Sequence, residues 1–224
     1  MLITSSLTHW RINRFNRHQT RNNTKIAIIN LILPNNGKNL AAHGSVTRYS
    51  SGIKTFPVSM KTLDSYNFTN VDFIKIDVQG AELDVFKGGS KTLKNVLKIV
   101  CEVEFIQHYE NQPLFGEVSD YLSQYNLMFN KFLGLSGRAL KPIMLNNNPN
   151  LPSQHIWSDA VFVRHIQKIH SLNDEKLLKL GLLACVYYSL DLTFYCLSEY
   201  DKRHSTSFAK NWMSQIANKN FKKG

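Results

Sequence analysis

The chain has 224 residues, 43% of them hydrophobic, which is enough for one large domain or a domain with an appendage and too apolar for a disordered tail. Its formal net charge is +11, but lysine and asparagine recur along the whole chain, so the charge by itself marks no nucleic-acid footprint. No apolar run reaches the roughly 18–20 residues that span a bilayer, and the three cysteines, Cys101, Cys185 and Cys196, lack metal-ligand spacing and suit a reducing compartment.

Met1-Leu2-Ile3 leads into Thr and Ser residues, not into the basic and long apolar regions of a secretory leader, so cytoplasm is the expected location. Residues 8–22 predict an amphipathic helix, with Trp10, Ile12 and Phe15 apolar and Arg14, Arg17, His18 and Arg21 on a solvated basic face. The β-branched run from Lys25 to Leu33 predicts a strand closed by the turn Pro34-Asn35-Asn36-Gly37. Residues 38–55 read as a loop or short edge strands, 56–60 as a short strand, and Leu63–Tyr66 as one helical turn. A strand over Val71–Asp77 and a helix from Glu82 follow. Gly88-Gly89 interrupts that helix, and Ser90 is placed to cap a new one over Lys91–Asn95.

A second central strand is predicted over Leu97–Phe105. A helix over Leu114–Tyr125 has Phe115, Val118, Tyr121, Leu122 and Tyr125 on one face. Leu127–Leu133 returns as a strand, residues 146–152 form a loop, and Trp157–Val163 is the last strand. From Asn173 the period becomes helical: Asp174 and Glu175 suit a first turn, and further helices are expected over 191–200 and 206–219. Strands alternating with helices, then helices alone, predict an α/β domain with a mainly parallel sheet over 1–168 and a helical appendage over 169–224.

One stretch carries chemistry. Apolar residues run into Asp77, Gly80 follows three residues later, and a helix begins at Glu82. A carboxylate at the carboxyl end of a buried parallel strand stands where ligands bind in open α/β sheets. The segment Lys75-Ile76-Asp77-Val78-Gln79-Gly80-Ala81-Glu82, with Val85 and Lys87-Gly88, resembles the FkbM-type methyltransferase family. Thr62-Leu63-Asp64, Glu102-Val103-Glu104 and Trp157–Phe162 add to the likeness, which extends over about residues 25 to 165. The resemblance implies a Rossmann-like fold that binds S-adenosylmethionine and moves its methyl group to a hydroxyl oxygen of a sugar, glycan or secondary metabolite.

Two departures stand out. Gln79 occupies a position where the family usually carries Glu. No G-x-G occurs in the chain, although glycines let a backbone approach a nucleotide cofactor and an acid holds its ribose. Residues 8–33 resemble the second helix and third strand of the family fold, so the first βαβ portion is expected to be missing. The competing expectation is therefore an inactive homologue, serving as a binding or partner subunit or representing a gene fragment. Exposed strand edges would favour association of such a chain. A third reading, nucleic-acid binding, rests on charge alone; no nucleic-acid partner is expected.

Asp77 is the leading catalytic candidate, either as general base for the acceptor hydroxyl or as ligand to a divalent metal ion. Glu82 is the second, since the Gly80 turn can fold it back. Their structural alternatives are an N-cap for Asp77 and a first-turn acid for Glu82. Trp157 and Asp159 are candidates for the acceptor pocket, against a strand-edge acid beside a core tryptophan. Glu102 and Glu104 share one strand face and read as solvated or capping, against the alternative that one of them touches the active-site edge; Lys75 reads as a packed stem with a solvated head, and Asp64 as a turn former.

Overall fold

The computed structural model describes residues 2–4, 26–30, 59–108, 111–140, 142, 148 and 154–220. The predicted helix over 8–22, its basic face, the loop at 38–55 and most of the loop at 146–152 lie outside these. The chain divides into two compact units, Met1–Val163 and Arg164–Gly224.

The first unit is built on a mixed sheet. Strands β1 (Leu2–Thr4) and β3 (Ser59–Lys61) form a small antiparallel pair. The main sheet runs β2 (Ile26–Asn30), β4 (Phe73–Asp77), β5 (Lys98–Glu104), β8 (His155–Arg164) and β6 (Leu127–Phe132), with β7 (Ser136–Gly137) paired to β8. β2, β4 and β5 are parallel, and β8 runs antiparallel to β5. The β2 strand lies directly beside β4 and supplies hydrogen-bonding partners along that edge, which would otherwise present a row of unpaired N–H and C=O groups.

β4 begins two residues later than its apolar run predicts, and just before it the Asp72 carbonyl accepts from the Leu97 and Lys98 N–H groups at the start of β5. Strand alternation then sorts the side chains. Ile74 and Ile76 of β4, Ile99, Cys101 and Val103 of β5, and Ala160 and Phe162 of β8 are buried in one core. Against them pack Val85 and Phe86 of α1 (Glu82–Lys87), Leu93 of α2 (Ser90–Leu93), and Val118 and Leu122 of α3 (Phe115–Ser123). An aromatic cluster holds α3 to the strands: Phe115 lies 5.2 Å from Phe132, and Phe129 lies 4.5 Å from Phe132.

Ser90 lies inside α2 and makes no side-chain cap. Asp64 takes that role from the preceding 3-10 turn (Leu63–Tyr66): its carboxylate accepts from the N–H groups of Lys91 (2.8 Å) and Thr92 (2.9 Å). Burial works against its charge, but these bonds hold its pKa below the usual value. The closeness of Gly89 to Leu63 makes this possible, since a Cβ there would stand 2.7 Å from Leu63 Cδ2.

The second unit contains α4 (Ile166–Ile169), α5 (Asp174–Val186), α6 (Leu190–His204) and α7 (Phe208–Asn220). The Asn173 side chain caps α5 by accepting from Lys176 N–H. Gly181 of α5 lets Cys196 of α6 approach closely, and the Thr193 hydroxyl donates to the Gly181 carbonyl at 3.1 Å. Lys179, which breaks the apolar run of α5, pairs with Glu175 one turn earlier at 2.6 Å. No helix among the described residues is long and apolar enough to cross a membrane.

Candidate active site

The sheet face opposite the helix-covered core carries Lys75 and Asp77 of β4, Glu102 and Glu104 of β5, and Trp157 and Asp159 of β8. Register fixes this grouping. Glu102 pairs with Asp159 and Glu104 with Trp157, and residues paired across strands share a face. The parallel register that sets Ile76 against Cys101 brings Asp77 level with Glu102. Because β8 runs antiparallel, its first residues lie beside the last residues of β5. That direction carries Trp157 and Asp159 to the edge where β4 and β5 end.

The turn after β4 joins the groups. Gln79 adopts a left-handed backbone (φ 55°), and Gly80 follows at φ 98°, a conformation that favours glycine. Glu82, almost fully buried, reaches back from the first turn of α1. Its two carboxylate oxygens accept from Val78 N–H (2.9 Å) and Gly80 N–H (3.0 Å), on either side of Gln79. The Gln79 side-chain nitrogen thereby donates to Asp77 Oδ1 at 2.9 Å and to Glu102 Oε1 at 3.2 Å. Asp77 does not cap α1; Ala81 is the N-cap residue and makes no side-chain cap bond.

Lys75 brings a cation to this edge, with its ammonium 3.6 Å from Asp159 Oδ1. Burial pushes the pKa of Glu102 up to about 7, helped by the charges of Asp77, Glu82 and Asp159 and opposed by Lys75. Burial likewise pushes Glu104 up to about 8, with Glu82, Glu102 and Asp77 adding and a hydrogen bond with Gln112 opposing. Glu82 is raised by burial against the pull of its backbone bonds. The reading of Glu104 as solvated or capping is corrected: its side chain is 3% exposed. The reading of Lys75 as a packed stem omits its ion pair. Glu-x-Glu ending an apolar strand repeats the pattern that singles out Asp77, which marks Glu102 and Glu104 for the strand edge but neither the burial of Glu104 nor the ion pair of Lys75.

Trp157 is 38% exposed, so it is not a core tryptophan. Among the described residues no three or more His, Cys, Asp or Glu side chains are grouped to hold a metal ion. The three cysteines are free thiols.

A sequence model of the methyltransferase FkbM domain matches residues 13–127, just over half of the chain. The chain belongs to the FkbM methyltransferase family. The match takes in Asp77, Gln79, Glu82, Glu102 and Glu104, and ends before Trp157 and Asp159. The chain is also similar to 2-O-methyltransferase NoeI of Sinorhizobium fredii (strain NBRC 101917 / NGR234), with 33% identity over 90 residues. That alignment covers 38% of this chain and 37% of the relative, so the chain spans well under half the length of the curated protein it matches. No solved structure matches it. The α/β sheet with parallel leading strands is compatible with a methyltransferase fold.

Proposed function

We propose that the chain is the catalytic part of an S-adenosylmethionine-dependent O-methyltransferase acting on a hydroxyl of a sugar, glycan or other small molecule. The observation that carries this reading is the carboxyl-rich strand edge, centred on Asp77, inside the span matched by an FkbM methyltransferase domain. The relative's printed activity, 2-O-methyl transfer, supports oxygen as the accepting atom. S-adenosylmethionine carries a cationic sulfonium and an ammonium group. Asp77, Glu102, Glu104 and Asp159 share their face with Lys75, and this donor set fits a cation. Burial, with neighbouring carboxylates adding, raises the pKa values of Glu102 and Glu104, so a cation bound beside them would favour their ionised forms.

In this reading Glu102, at the open end of the strand, would hold the cofactor's positive groups, with the buried Glu104 behind it. The cofactor, when bound, supplies an electrophilic methyl group. Asp77 would accept the acceptor hydroxyl's proton at a carboxylate oxygen while the hydroxyl oxygen takes the methyl group and the methyl–sulfur bond breaks, the sulfur leaving as a neutral thioether. Asp159, oriented by Lys75, and the half-exposed Trp157 ring line the acceptor side. Glu82 has both oxygens on backbone N–H groups, an arrangement that favours holding the turn over moving a proton. A metal on Asp77 would need further ligands, and the described residues bring no such group together. The division into a methyltransferase part over 1–168 and a helical appendage over 169–224 belongs to the same proposal.

Calorimetry with S-adenosylmethionine, followed by transfer of a tritiated methyl group to a panel of hexoses and short oligosaccharides, tests the reading. Micromolar binding and measurable transfer are expected. Asp77→Asn should keep binding within about threefold and lower turnover at least about 100-fold, as removal of a general base does. A folded protein that neither binds the cofactor nor transfers methyl refutes the reading.

A further inference from the structure

The mechanism above uses Asp77 and Glu102 but leaves unexplained how two carboxyl groups on adjacent strands keep a fixed relation. We propose that Gln79 is a positioning residue, whose single amide nitrogen fixes the Asp77 carboxylate relative to Glu102 while Glu82 locks the Gln79 backbone. The inference rests on the reading of Asp77 as the base.

Three observations converge on it. First, the Gln79 nitrogen has two hydrogens and faces two carboxylate oxygens, at 2.9 and 3.2 Å, one on each of two neighbouring strands. Second, Gln79 sits at φ 55°, a region in which glutamine has no side-chain advantage, so something must hold it there. Third, that restraint is visible. Glu82 accepts from the N–H group before Gln79 and from the one after it, and Glu82 is almost fully buried. The backbone is clamped on both sides, and the side chain is directed back over the strand ends. A rotating carboxylate presents its lone pairs in many directions, whereas one anchored through Oδ1 presents Oδ2 in few.

A glutamate at this position would have the same length and no donor. It would set a third carboxylate against two others, turning a bridge into a repulsion. The family usually carries glutamate at this position, so the bridge is particular to this chain's glutamine, whose nitrogen reaches both carboxylates.

Side-chain amide NMR of the full chain tests the clamp without substrate. The two Gln79 Nε2 protons should exchange at least about tenfold more slowly than those of free glutamine, as hydrogen-bonded amides do. Asp77→Asn should shift one proton and Glu102→Gln the other. Gln79→Glu then tests the consequence, with thermal unfolding as the check on folding. In transfer from S-adenosylmethionine to whichever hexose the wild type methylates fastest, kcat should fall about 10–100-fold. The KM for the cofactor should stay within about threefold. Gln79→Gly, which suits the left-handed backbone, should show the same split. Amide protons that exchange as fast as those of free glutamine, or a kcat unchanged in both variants, would overturn the proposal. A wild type that shows the two slowly exchanging protons yet neither binds cofactor nor transfers methyl would instead refute the function, with the clamp itself standing.

Discussion

Glu104 offers the sharpest test of the site's electrostatics. Its carboxyl is 3% exposed, and its pKa is raised from 4.5 to about 8 by burial and by the neighbouring carboxylates. In the unfolded chain the group ionises above pH 4.5, while in the folded chain it keeps its proton up to about 8. The unfolded state then binds fewer protons, so stability falls as pH rises through this window and levels off above it. Each pH unit removes about 1.4 kcal/mol, so the loss between pH 4.5 and neutrality is on the order of 3 kcal/mol. Glu104→Gln keeps the volume and removes the titration. Thermal unfolding followed by circular dichroism should find the variant and the wild type alike near pH 4.5. Near pH 7 the variant should be higher by about 6–12 °C, the shift that about 3 kcal/mol produces in a chain of this size. Parallel pH curves for the two proteins would refute the reasoning, because Glu104 would then ionise in the fold without penalty.

Further outcomes follow from the same geometry. Glu82→Ala removes the acceptor of two backbone N–H groups and should destabilise the chain by about 2–4 kcal/mol, read from the urea midpoint; a change below about 0.5 kcal/mol would mean that the turn holds without it. Asp64→Ala strips the cap from α2 and should cost about 1–2 kcal/mol near neutral pH. Because the Asp64 pKa is lowered, its contribution is present above its ordinary value of 3.8 and is lost as pH falls through the folded value, so unfolding curves of variant and wild type should converge in strong acid. Gly89→Ala drives a Cβ to 2.7 Å from the fully buried Leu63 and should destabilise by about 1–3 kcal/mol, measured by the same unfolding curve.

The sequence by itself determined the local events. Apolar runs ending in carboxylates marked β4 and β5, the Gly80 turn marked the passage into α1, and helical period marked α3 and the C-terminal helices. These are short-range consequences of side-chain periodicity and turn chemistry, and they sufficed to place Asp77 at a strand end. The tertiary structure decided which distant residues share that end. The antiparallel direction of β8 is invisible in its own composition, yet it alone carries Trp157 and Asp159 to the edge where β5 finishes. Gln79 looked like the loss of a charge, and only the left-handed turn, clamped by Glu82, makes it a donor to two carboxylates. Glu104 read as solvated because alternation gives a side chain's face and not what covers it. Burial, and with it the pKa of a carboxyl group, is set by contacts between segments far apart in the chain, which no local pattern encodes.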